Sequence, residues 1–202
     1  MFDVDYMLWS LVLIVFHLTE GLFAYAQHRE PLSWRSMLFS RAYLVALVAA
    51  TVEHELLRRV LSEWLIRKRV SLAVIWSISH PSTRYAGLML CLVGEGIRKG
   101  SMWTLGPAFT HEIARERRMT HRLHQQGFYA LCRHPAYSGW MIWLIGTQVL
   151  LRNVICCTVF PIIAWSFFRQ RIAFEEEQLE RFFGTEYRAY QRRTFSGIPG
   201  IP

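Results

Sequence analysis

Tyr129-Ala-Leu-Cys-Arg-His-Pro-Ala-Tyr-Ser-Gly139 separates a polar, histidine-rich segment from two apolar runs, and it decides how the rest of the chain is read. Pro135 disfavours helical geometry at His134 and is itself tolerated in a first turn. A helix is therefore expected to break at His134, freeing backbone groups there to bind a ligand. Residues 137–151 and 154–168 are apolar and are parted only by Arg152-Asn153, which predicts a tight helical hairpin over 137–168 with both outer ends on one side. Arg115, Arg117, Arg118, Arg122 and Arg133 precede the hairpin, and Arg169, Arg171, Arg181 and Arg188 follow it. The positive-inside bias assigns both flanks to the cytosol.

Composition points the same way. Of 202 residues, 52% are hydrophobic and 14% aromatic, and the apolar residues are gathered in runs, as membrane helices require. The net charge of +8 is spread around those runs rather than along one stripe, so nucleic acid is not an expected partner, whereas an anionic membrane surface is. Residues 6–26, 37–52 and 82–103 are three further candidate spans, the last opened by His80-Pro81-Ser82. The second should continue as helix through Glu53-His-Glu55. Residues 71–79 are apolar but too short to cross. The expected architecture is all-α: a polytopic integral membrane protein with about five membrane helices and a cytosolic pocket. Residues 1–105 would form the N-terminal helices, and residues 106–202 a catalytic region ending in a cytosolic helix. Counting spans back leaves the N-terminus lumenal, with which Arg58, Arg59, Arg67, Lys68 and Arg69 fit poorly. No cleavable leader is expected, because no basic lead precedes the first apolar run. The four cysteines, Cys91, Cys132, Cys156 and Cys157, lack zinc-ligand spacing and are read as reduced apolar fillers.

His121, His124, Tyr129, His134 and Tyr137 offer donors and acceptors for a polar ligand, although interfacial histidines and tyrosines would look alike. As zinc ligands the histidines have the wrong spacing, and no metal is expected. Arg171 and Glu175 share one helix face, and the simplest account of them is an exposed i,i+4 ion pair. His17 and Glu20 also share a face, inside the first span. They should pair with each other or with another helix, or line the way in for a lipid. Glu95 and Arg98 read as a structural pair.

Taken in order, Phe16-His-Leu-Thr-Glu20, Ser40-Arg-Ala-Tyr43, Gly94-Glu-Gly-Ile-Arg-Lys99, His121-Arg-Leu-His124, the Arg133-His-Pro-Ala-Tyr137 motif, Arg171-Ile-Ala-Phe-Glu-Glu176 and Gly197-Ile-Pro-Gly-Ile-Pro202 resemble the isoprenylcysteine carboxyl methyltransferase family. The resemblance implies an integral membrane enzyme, in the endoplasmic reticulum of a eukaryote, that moves a methyl group from S-adenosyl-L-methionine to the C-terminal carboxylate of a prenylated protein, releasing S-adenosyl-L-homocysteine. Its partners would be the prenylcysteine ends of CaaX proteins such as small GTPases, together with membrane lipid. Carried over by position, His121, Arg122, Leu123, His124, Tyr129, His134, Pro135, Ala136 and Tyr137 would line the cofactor pocket. Glu175 would also bind the cofactor, and Arg171 would hold the substrate carboxylate as the catalytic residue. Glu176 and Glu177 would be supporting or solvated. Ala114 stands where eukaryotic members often have a glutamine, and His124 where a small aliphatic residue is usual.

The chemistry needs no base, because a prenylcysteine carboxylate is ionised at neutral pH and can attack the sulfonium methyl directly. Catalysis reduces to alignment and partial removal of water. Two other enzyme readings share features of the hairpin: an NADPH-dependent sterol reductase, which needs more chain, and a phospholipid or small-molecule methyltransferase. A non-catalytic scaffold is the remaining reading.

Overall fold

The computed structural model describes residues 3–28, 37–61, 81–114, 116–117 and 122–202, and among these all regular structure is helical. Helix α1 is Val4–His28, α2 Arg41–Leu56, α3 Pro81–Leu105, α4 Phe128–Leu131, α5 Pro135–Leu151, α6 Val154–Phe183 and α7 Thr185–Arg193. The five long helices fall on the five apolar runs. One of them, over Val4–Gln27, is long and apolar enough by itself to cross a membrane. Outward-facing apolar side chains on α1 (Met7, Leu11, Ile14, Leu18), α2 (Leu44, Val48, Val52) and α6 (Ile155, Ile162) give the bundle an outer surface suited to hydrocarbon. The expectations for residues 62–80, for His121 and for Arg115 and Arg118 lie outside the described residues.

Helix ends follow local chemistry. Asp3 Oδ1 accepts from the Asp5 and Tyr6 amides at 2.9 and 3.3 Å, capping α1, and Ser40 caps α2 through the Tyr43 amide at 3.1 Å. Helix α2 ends in a single π turn, Leu57–Leu61. The hairpin turn is the expected pair of residues, with Arg152 in the left-handed region at φ 59°. The N-terminus of α6 is capped from another helix: Glu53 of α2 accepts from the Ile155 and Cys156 amides at 2.6 and 2.7 Å. Beside it, Asn153 Nδ2 donates to the Ala50 carbonyl at 2.9 Å, and His54 bridges the Leu151 carbonyl and Asp3. The turn is thereby latched onto α2 and the start of α1. Both arms outrun the expected 137–168, because Pro135 starts α5 and the Glu-, Gln- and Arg-rich residues after Phe168 are strong helix formers.

Of the readings open for His17 and Glu20, pairing with other helices is the one observed, and the expected Glu95–Arg98 pair is corrected. His17 does not meet Glu20. It reaches the Met37 carbonyl and the Tyr43 hydroxyl at 2.6 and 2.7 Å, toward α2. Glu20 instead takes Arg98 of α3 bidentately, at 2.6 and 2.8 Å, together with Lys99. Arg98 is therefore not the partner of Glu95, which meets Thr19 at 2.8 Å and Lys99 at 3.6 Å. The three-residue spacing was right for a shared face, but the face of Arg98 is turned to α1.

Helices α3 and α5 pack at backbone contact through small residues, the arrangement expected where no hydrophobic effect separates helix from surroundings. A Cβ on Gly87 would stand 2.5 Å from the Leu150 amide nitrogen, one on Gly139 2.6 Å from the Gly94 carbonyl, and one on Gly94 would collide with the Trp143 amide. At Gly96, on the same helix, an added Cβ would meet nothing within 4 Å among the described residues. Gly94→Ala is therefore expected to cost about 1–3 kcal/mol through overpacking. Gly96→Ala should be neutral or slightly stabilising, because it raises helix propensity without a clash. Thermal unfolding of the two variants in one detergent gives the comparison, and equal melting temperatures would contradict the packing.

Candidate active site

The site is built where α5 begins. Gly127, at φ 59°, opens the short helix α4, whose Tyr129 is buried, and Cys132 is extended. His134 sits at φ −125°, ψ 56° before Pro135, so the helix does break as expected. The backbone there is not free, however. The Arg133 and His134 amides donate to the Phe195 and Ser196 carbonyls, each at 2.9 Å, so the C-terminal segment takes the groups that the break releases. Buried donors of this kind require partners, and residues 194–202 supply them.

Arg133, read above as a flanking charge, is buried and holds four acceptors. Its Nε donates to Glu176 Oε1 at 2.7 Å, Nη1 to the Gln191 and Thr194 carbonyls, and Nη2 to the Pro202 carbonyl at 2.6 Å. Glu176 also meets His134 Nε2 at 3.1 Å and Gln191 Nε2 at 2.8 Å, which makes it the supporting group expected. Burial alone would raise the Glu176 carboxyl, but the hydrogen bonds from His134 and Arg133 outweigh it and hold the group at about 2 against an ordinary 4.5. A depressed carboxyl gives stability that is complete above its ordinary value and is lost as the pH falls from about 4.5 toward 2. The melting temperature should drop across that window, and should drop less in Glu176→Gln.

Tyr137 joins the two residues expected to do different jobs. Its hydroxyl donates to Glu175 Oε2 at 2.6 Å and accepts from Arg171 Nε at 2.8 Å. Its ring stacks on His134 (5.6 Å, 10°) and on Phe168 (4.8 Å, 27°), which fixes where the hydroxyl points. Arg171 Nη2 donates to the His111 carbonyl at 2.6 Å. Arg171 and Glu175 thus share a face of α6 without forming an ion pair with each other.

These groups stand in one cavity of about 820 Å³. Arg122, Leu123, His124, Tyr129, His134, Ala136, Tyr137, Arg171 and Glu175 all line it, so nine expected positions are brought together, while Pro135 is buried behind the wall. The lining continues along α5 through Trp140, Trp143, Leu144 and Thr147 to Gln148, with Trp9 and Leu13 of α1 and Phe160 and Phe167 of α6 facing it. At about 1.5 Å per residue, Tyr137 to Gln148 spans roughly 16 Å, so the cavity is long, polar at one end and apolar along its length. A carboxylate acceptor, hydroxyls and aromatic walls at the polar end suit a small charged molecule, and the apolar length suits a hydrocarbon chain. Sequence reading missed Arg98 and His111, which line the cavity too. The one available signal was that each is a charged or titratable residue beside an apolar run.

The family model described as the isoprenylcysteine carboxyl methyltransferase (ICMT) family matches residues 87–181. A probable protein-S-isoprenylcysteine O-methyltransferase of Oryza sativa subsp. japonica is 38% identical over 195 residues, covering 96% of this chain and 95% of its own. The protein-S-isoprenylcysteine O-methyltransferase of Rattus norvegicus is 38% identical over 191 residues, covering 94% of this chain and 63% of its own. A solved structure described as the eukaryotic intramembrane Ras methyltransferase ICMT without a monobody superposes with a TM-score of 0.79 at 31% identity, over 98% of this chain and 67% of that one.

Proposed function

Because the chain belongs to the isoprenylcysteine carboxyl methyltransferase family, we propose that it transfers the methyl group of S-adenosyl-L-methionine to the C-terminal carboxylate of a farnesylated or geranylgeranylated cysteine in CaaX-processed proteins. The observation that carries this reading is the single cavity in which Tyr137 links Arg171 to Glu175 at the border between a polar end and an apolar length.

The residues present fit such a cofactor. Glu175 offers carboxylate acceptance to ribose hydroxyls or an amino group, Tyr129 and His124 offer further polar contacts, and Phe182, Phe183 and Tyr187 supply aromatic wall. When bound, the cofactor supplies an electrophilic methyl on a sulfonium. Arg171 holds the substrate carboxylate, its guanidinium matching two oxygens in a fixed geometry. Tyr137 spends its proton on Glu175 and a lone pair on Arg171, so it keeps the two binding residues in register without itself titrating in the reaction. The apolar length takes the prenyl chain, which gains by staying out of water, and the surrounding Trp140, Phe167 and Phe168 exclude water from the reacting groups. No side chain has to move a proton. Residues 106–202 supply most of the polar end, and helices from both halves of the chain line the apolar length. Exposed arginines at the polar end, among them Arg122, Arg169, Arg181 and Arg188, favour a cytosolic mouth by the positive-inside bias, on a protein carrying about five membrane helices. In a eukaryote this would place it in the endoplasmic reticulum membrane.

Tight binding of S-adenosyl-L-homocysteine, with none of NADPH, tests the cofactor class. Glu175→Gln keeps the side chain's shape but loses charge-assisted acceptance, worth about 1–3 kcal/mol when buried, so it should weaken S-adenosyl-L-homocysteine roughly tenfold. Binding of a prenylcysteine should change far less. Unaltered S-adenosyl-L-homocysteine affinity would remove Glu175 from the pocket.

A further inference from the structure

The segment between α3 and α4 has little regular structure, a 3-10 turn at Gly106–Ala108 among the described residues, yet it supplies one of the two groups that hold the Arg171 guanidinium. That group is the His111 carbonyl, and a carbonyl in a loop is only as fixed as the side chains on either side of it. Both anchors lead to α1. Phe109 meets Phe23 of α1 edge-on at 5.9 Å, and the His111 ring stands edge-on to Phe109 at 5.5 Å. The His111 ring is turned inward, where Nε2 is buried, makes no hydrogen bond among the described residues, and lies 3.6 Å from Glu20 Oε2. A ring shift of about half an ångström brings that nitrogen within hydrogen-bond range.

Glu20 is also tied to the other side of the guanidinium. It orients Arg98, whose Nη1 donates at 3.2 Å to the carbonyl of Ala136, the residue next to Tyr137. The carboxylate is fully buried and has Arg98, Lys99 and His111 around it. The two groups on Arg171, the Tyr137 hydroxyl and the His111 carbonyl, therefore both trace back to one carboxylate in the first helix.

We propose that His111 is a positioning residue for Arg171, with its ring held by Glu20 of α1 so that its carbonyl fixes the guanidinium. This rests on Arg171 being the group that binds the prenylcysteine carboxylate. Through this link α1 takes part in orienting the substrate as well as in walling the apolar length of the cavity.

The test is equilibrium binding of farnesylcysteine, without methyl donor, to the parent, Arg171→Ala, His111→Phe, His111→Gln and the Arg171→Ala, His111→Phe double variant. Coupled neighbours of this kind interact by an amount equivalent to about tenfold in affinity. His111→Phe keeps the ring but loses the nitrogen facing Glu20, and should weaken binding to that extent while S-adenosyl-L-homocysteine affinity holds. His111→Gln, whose amide reaches toward Glu20, should recover most of the loss. The double variant should bind no more weakly than Arg171→Ala alone. If Arg171→Ala binds farnesylcysteine normally, the role of Arg171 falls and this inference with it. If Arg171→Ala is impaired and His111→Phe is not, this inference alone falls. Equal loss in Phe and Gln, or parallel loss of S-adenosyl-L-homocysteine, would make His111 a merely structural residue and also overturn it. Should the Phe variant fail to fold, His111→Asn, too short to reach Glu20, takes its place in the same comparison.

Discussion

Arg171→Ala should all but abolish methylation while leaving S-adenosyl-L-homocysteine bound. The guanidinium is held through Nε by Tyr137 and through Nη2 by the His111 carbonyl, so its orientation is set before any substrate arrives. A reacting oxygen displaced by about 1 Å can lose roughly 100-fold in rate, and losing the residue that places it should cost more. Arg171→Lys should remain strongly impaired, because an ammonium keeps the charge without the fork that matches two oxygens. Were Arg171 only a helix-surface partner of Glu175, its contribution would be about 0.3–0.5 kcal/mol and the lysine variant would turn over normally. In the structure the two side chains are joined through Tyr137 rather than directly. Turnover of parent, Ala and Lys proteins, with folding checked by S-adenosyl-L-homocysteine binding, gives the decision. An active Arg171→Ala enzyme would end the mechanism.

The second large effect is on stability. Arg133→Met should cost about 3–5 kcal/mol, the usual penalty for removing one partner of a buried ion pair. The Arg133 side chain is 3% exposed, and its guanidinium serves Glu176 together with the carbonyls of Gln191, Thr194 and Pro202. Its loss takes the arginine charge away from Glu176, leaving it His134 and Gln191, and loosens the segment that receives the Arg133 and His134 amides. For a chain of this size the shift corresponds to roughly 10 °C in melting temperature. The double variant Arg133→Met, Glu176→Gln should be less destabilised than Arg133→Met alone, because the carboxylate that lost its arginine has gone. Additive losses in the double variant would show that the pair is not coupled.

What the sequence disclosed and what it withheld differ in kind. Pro81, Pro135 and Arg152-Asn153 are local signals, and α3, α5 and the hairpin turn begin or bend at them. Nine cavity-lining positions were legible because an ordered motif carried them. The charge partners were not. Arg98 lies three residues from Glu95, and periodicity alone pairs them, yet its carboxylate comes from Glu20, far away in sequence. Arg133 looked like a flanking charge, because nothing local says that Glu176 and a returning C-terminal segment enclose it. Glu53 gave no sign that it would cap a helix starting at Val154. Amphipathic patterns report which face is buried, but the identity of a partner is a property of the tertiary packing.

The glycine contacts between α3 and α5 also bear on traffic. Where backbones touch so closely that a single methyl group is excluded at Gly87, Gly94, Gly139 and Gly146, no seam is left for an isoprenoid tail to slip through. The two helices act as a fixed back panel. Any doorway from the bilayer must open elsewhere around the cavity, among α1, α2 and α6, whose side chains also line it.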